Sequence, residues 1–143
     1  MLIKYTTTSY KDTQKFGQEL AKDILGFPLK KIATVLCLYG DLGVGKTTFL
    51  QGFAKGLGIK EKILSPTYVV MRRFGYFYHF DCYRLKDEKD ILELGWEEII
   101  SNPKNIVAVE WPERIKKVLP KTAIKIEFKT LEENKRELTM KRL

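Results

Sequence analysis

Residues 33–50 read ATVLCLYGDLGVGKTTFL, Ala33 to Leu50, and the fold follows from how this stretch changes character midway. Ala33 to Tyr39 is a continuous apolar run rich in strand-favouring residues. Such a run predicts a strand covered on both faces, as the central strands of parallel sheets are. Gly40 to Thr47 then matches G-x-x-x-x-G-K-[ST] at every fixed position. From Gly45 to about Gly56, the residues Thr48, Phe49, Gly52, Phe53 and Leu57 recur at helical spacing. Buried strand, glycine-rich turn and helix is the context this motif demands.

Each residue type in the turn has a chemical reason. Glycines permit the backbone angles that aim several N–H groups at one point, a nest for phosphate oxygens that the helix N-terminus reinforces. Lys46 supplies a mobile positive charge for β- and γ-phosphates, and the Thr47 hydroxyl suits Mg²⁺. A nucleoside triphosphate, ATP with Mg²⁺, uses all three features. Gly43, Val44, Gly45, Lys46, Thr47 and Thr48 are therefore the expected phosphate-binding residues. Such a cation also wants a carboxylate from the end of another core strand. Glu110 follows the apolar run Ile106 to Val109, and Asp81 follows Phe77 to Phe80, so both qualify. Trp111, beside Glu110, is placed to pack near the nucleotide, although a tryptophan there is more often core. His79, the chain's single histidine, is expected to be a hydrogen-bonded core residue.

Working outward, Ser9 with Asp12 resembles a capping box. Phe16, Leu20 and Ile24 then give a helix one apolar face before Gly26 and Pro28 end it. Tyr68 to Phe74 and Phe77 to Phe80 suggest a hairpin turning at Gly75 and Tyr76. Asp87 to Ile100 reads as helix with a break near Gly95. Ala123 to Phe128 alternates as a half-exposed strand does, with Glu137 to Lys141 as its candidate partner. The mixture predicts an α/β fold: a single P-loop NTPase domain over residues 1–143, with a mostly parallel central sheet flanked by helices.

Composition bounds the reading. At 143 residues the chain suits one domain, and 44% hydrophobic with 31% charged residues excludes a mainly disordered polymer. No apolar run approaches the roughly 18 residues of a membrane span. The N-terminus lacks the apolar stretch of a secretory signal, so a cytoplasmic protein is expected. Cys37 and Cys82 each sit in an apolar run without a second metal ligand and read as small core hydrophobes. The net charge of +8 favours encounter with polyanions, but the lysines are scattered, which is the usual pattern of a solvated surface.

Four blocks carry a resemblance: GDLGVGKTTF at Gly40 to Phe49, SPTY at Ser65 to Tyr68, HFDCYR at His79 to Arg84, and VEWPE at Val109 to Glu113. In this order the chain resembles the TsaE (YjeE) family, from Thr13 and Gly17 to Arg136. The resemblance implies a bacterial ATPase subunit needed to make N6-threonylcarbamoyladenosine at position 37 of tRNA. It would act beside a TsaB and TsaD pair, with tRNA reached through that complex and no membrane involved. It further implies Lys46, Asp81 and Glu110 as catalytic residues and Thr47 with Glu110 as the Mg²⁺ pair. Ser65 and Thr67 would form a switch-like loop, and Tyr10, Trp111 and Arg136 would lie near the nucleotide. The alternative from a different class is a docking module gated by nucleotide, in which hydrolysis is incidental. Val44, Cys82 and the pair Arg72 and Arg73 depart from the family's commoner residues. The arginines bear on a partner-facing surface rather than on ATP.

Overall fold

The computed structural model describes residues 2–28, 30–41, 43–63 and 70–142. Its centre is the run singled out above. Thr34–Tyr39 forms a strand, β2, whose first five residues are all buried. Around it lies a seven-stranded sheet of order β1-β7-β6-β2-β5-β4-β3, with β1 Leu2–Thr7, β3 Met71–Phe74, β4 Phe77–Asp81, β5 Ile106–Glu110, β6 Ile124–Glu132 and β7 Lys135–Arg142. Strands β6, β2, β5 and β4 run parallel. The marginal strands β7, β1 and β3 pair antiparallel, so the sheet as a whole is mixed.

Side chains alternate across β2 and divide the interior in two. Leu36 and Leu38 face a cluster with Ile24, Phe49 and Phe53, beneath α1 Tyr10–Leu25 and α2 Lys46–Gly56. Val35 and Cys37 face the other side, with Ile91, Trp96 and Ile115. Both thiols are free and buried, and burial pushes Cys37 and Cys82 up to about 12, so they behave as small hydrophobes.

Helices α1 and α2 meet through glycine. A Cβ on Gly52 would lie 1.9 Å from the Gln14 carbonyl oxygen, and one on Gly17 would lie 2.4 Å from that of Phe49. Neither site has room for a side chain, so the two backbones approach more closely than ordinary packing allows. Gln14 Nε2 donates to Gln51 Oε1 across the same seam at 3.1 Å. The start of α1 is fixed by Ser9, whose Oγ accepts the Asp12 N–H at 3.1 Å, while the Asp12 carboxylate takes the N–H of Thr8 rather than that of Ser9.

The hairpin at Gly75 and Tyr76 joins β3 to β4; Tyr68 and Val69, placed in it from sequence, lie outside the described residues. The helical segment after Asp87 is two short helices, α3 Glu88–Leu92 and α4 Trp96–Ser101, parted at Gly95 with φ 87°. Two elements were not anticipated. Strand β1 has exposed residues on both faces up to Thr6, which leaves no apolar alternation to read. A 3₁₀ segment at Pro112–Val118 is too short to show a period.

Candidate functional site

A cleft of about 380 Å³ opens beside the glycine loop, lined by the loop and helix residues Gly43, Gly45, Lys46, Thr47 and Thr48 and by Glu110 at the C-terminal end of β5. Its other wall is Ser9, Tyr10 and Thr13 at the start of α1, with Asn134 from the β6–β7 turn and Arg136 from the first residues of β7. The loop's backbone is possible because of its residues. Gly43 and Gly45 have φ of 81° and 101°, in the left-handed region that side chains disfavour, and Gly45 caps α2 so that the N–H groups of the first turn face the cleft. Leu42 lies outside the described residues.

Lys46 is 5% exposed. Its Nζ donates to the Gly40 carbonyl at 2.6 Å and stands 4.4 Å from the centroid of the Trp111 ring, a cation–π distance. Burial pulls its pKa below the ordinary lysine value, and the carboxylates of Glu110, Glu113, Asp81 and Asp41 oppose that pull. The ammonium thus stands in a pocket of negative potential.

Two of those acids come from adjacent strand ends. Glu110 closes β5 and is 2% exposed, and Asp81 closes β4 directly opposite it in the parallel register. Burial raises the Asp81 pKa, the Tyr83 N–H lowers it, and Glu110 raises it again; that N–H donates to Asp81 Oδ1 at 3.0 Å. Glu110 Oε2 lies 2.7 Å from Nε2 of His79, which is itself buried. The histidine expected to be a hydrogen-bonded core residue therefore has an acid of the cleft as its partner.

Trp111 departs from its neighbours. It adopts φ 57° and ψ 50°, a left-handed conformation that costs a bulky residue on the order of 1 kcal/mol. The turn lays its ring beside Lys46 and 5.0 Å from the ring of Tyr83, and Trp111 is absent from the lining of the cleft. Val44 and Asp81 are likewise outside that lining. Tyr10 stands 64% exposed at the rim. Arg136 is half-buried, with Nη1 donating to the carbonyls of Glu132, Glu133 and Lys135 and so bracing the turn before it. Ser65 and Thr67 lie outside the described residues. Sequence reasoning did not single out Thr13 and Asn134 for the site, and took Ser9 only as a helix cap.

A glycine loop joining a central parallel strand to a helix, with acids ending the neighbouring strands, defines an α/β domain of the P-loop type. Comparison with known proteins narrows the class. Residues 7–138 match the family described as Threonylcarbamoyl adenosine biosynthesis protein TsaE, and the chain belongs to that family, whose members take part in tRNA threonylcarbamoyladenosine biosynthesis. It is 36% identical over 141 residues to the tRNA threonylcarbamoyladenosine biosynthesis protein TsaE of Bacillus subtilis (strain 168), covering 96% of this chain and 84% of that one. With the protein of the same name from Treponema pallidum (strain Nichols) it shares 31% over 141 residues, covering 96% and 99%. The crystal structure of Bacillus subtilis YdiB matches with a TM-score of 0.80 at 29% identity, over 99% of this chain and 86% of that one. Among the described residues no helix is long and apolar enough to cross a membrane.

Proposed function

We propose that this chain binds ATP with Mg²⁺ and hydrolyses it in support of a TsaB and TsaD pair that forms N6-threonylcarbamoyladenosine at position 37 of tRNA. The observation that carries the proposal is the meeting of a left-handed glycine loop, a buried lysine and a buried strand-end glutamate on one cleft.

The residues present suit such a cation. Thr47 and Glu110 offer hard oxygen donors to the cleft, and among the described residues no group of three or more acids, histidines or cysteines could cage a metal alone. Mg²⁺ prefers that arrangement, taking one or two protein oxygens and completing its shell from phosphate and water. When bound, it would neutralise charge on the phosphate oxygens.

The chain's own residues do the rest. Backbone N–H groups from Gly43 to Thr48 hold the phosphates in place, and Lys46 balances the charge that grows on the oxygens as the terminal phosphoryl leaves. Asp81, whose raised pKa makes it a better proton acceptor than an ordinary aspartate, orients a water through its carboxylate. No step of the threonylcarbamoyl transfer is assigned to this chain.

Calorimetry with ATP, with and without Mg²⁺, tests the binding. Hydrolysis by wild type and Glu110→Ala, alone and with TsaB and TsaD, tests the rest. Slow turnover alone and faster turnover in the complex are expected, and failure of the folded chain to bind Mg²⁺-ATP overturns the proposal. If Glu110→Ala stops hydrolysis while tRNA modification continues, the nucleotide-gated docking reading replaces it.

A further inference from the structure

The period of two along a strand puts Phe77, His79 and Asp81 on one face of β4. In the parallel register these stand beside Ile106, Ala108 and Glu110 of β5. His79 is therefore next to Ala108, whose methyl group leaves its ring room to reach along the face towards Glu110, two residues further on. Diagonal neighbours of this kind lie within reach of a long or aromatic side chain. The ring spans the gap, with 2.7 Å between His79 Nε2 and Glu110 Oε2. Both residues are almost wholly buried, at 4% and 2% exposure. A carboxylate that holds a cation only accepts hydrogen bonds, so in that state the ring supplies the hydrogen from Nε2.

A buried carboxylate in the lining of a cleft, with one oxygen tied, has lost most of its rotational freedom. The side chain that ties it decides how the free oxygen is presented. We propose that His79 is a positioning residue for Glu110: its ring N–H fixes one carboxylate oxygen and thereby sets the other for the cation accompanying the nucleotide. This rests on the Mg²⁺-ATP reading above. Hydrogen-bond partners that orient a metal-binding carboxylate change metal affinity about 10- to 100-fold when removed, so the effect falls on the metal and not on the phosphate nest.

The test compares wild type with His79→Gln, whose Nε2 can replace the ring donor, and His79→Leu, which cannot donate. ATP affinity is measured by calorimetry in EDTA and again with Mg²⁺, and the gain between the two is the readout. Equal affinity in EDTA for all three chains is expected, with a gain that His79→Leu loses about tenfold and His79→Gln largely keeps. Full retention of the gain by His79→Leu overturns the inference, as does loss of affinity in EDTA to the same extent as with Mg²⁺, which marks a merely structural role. If His79→Leu fails to fold, the wild type still answers. Its ring signals come from the chain's single histidine, so in ¹⁵N-resolved NMR they need no assignment by mutation. They are expected to shift on adding Mg²⁺-ATP beyond the shift with ATP in EDTA, and identical spectra in the two states overturn the inference. A wild type with no gain from Mg²⁺ at all strikes the Mg²⁺-ATP reading first and takes this inference with it.

Discussion

The two walls of the cleft are built on opposite terms. One wall, the loop with α2 and the end of β5, uses buried charge: Lys46 and Glu110 are each at most 5% exposed. The other, the start of α1 with the β6–β7 turn and the first residues of β7, is polar and mostly open: Thr13 is buried, but Tyr10 is 64% exposed, and half-buried Arg136 spends one nitrogen on the turn beside it. Buried charge is costly unless each group answers another, so the first wall tolerates little change. The exposed and half-exposed members of the second, Tyr10 and Arg136, can vary at small cost.

That contrast sets the order of expected effects. Lys46→Ala and Glu110→Ala should each lower the rate of ATP hydrolysis by about 10²- to 10³-fold, the usual loss when one charge-stabilising group leaves a closed site; single-turnover assays check this, and a tenfold loss or less would erase the difference between the walls. Gly52→Ala strikes the seam that joins them. With no space for its Cβ, it should lower stability by about 3 kcal/mol, read from the urea midpoint with wild type and Gly58→Ala as controls. Gly58 has a positive φ but nothing within 4 Å of its Cβ, so strain there is conformational alone.

On the more open wall, Arg136→Ala should weaken ATP binding only about fivefold, the worth of one exposed or half-exposed polar contact, with hydrolysis of saturated protein little altered. Asp81→Asn tests the smallest effect. Because the folded Asp81 pKa lies above the ordinary 3.8, the native state binds the proton more tightly than the unfolded chain does. The stability this contributes is present below 3.8 and is lost as pH rises through the folded value. At neutral pH the ionised carboxylate is a burden, so Asp81→Asn should melt slightly higher than wild type there and lose that advantage near pH 3–4, while hydrolysis falls. A lower melting temperature at neutral pH would contradict the burial argument.

Sequence resolved the first wall far better than the second. An apolar run with both faces covered, a loop whose glycines are fixed by backbone angles, and acids directly after buried strands all leave local signatures, which is why β2, Lys46, Thr47 and Glu110 were legible. Thr13 and Asn134 are ordinary polar residues about 120 positions apart, and only the closing of β7 onto β6 and β1 brings them to one cleft. Nothing local marks such residues. His79 was legible as a buried, bonded residue but not as the partner of Glu110, since that depends on the β4–β5 register. The left-handed turn at Trp111 was equally hidden, because a bulky residue carries no sign that its surroundings will hold it there.

The glycine seam has a mechanical consequence. Tyr10 rides on α1 and Lys46 on α2, and the helices are locked backbone to backbone at Gly17 and Gly52. The span between those side chains therefore behaves like the jaws of a caliper set to one gauge. Among the described lining residues, Asn134 and Arg136 stand outside that lock.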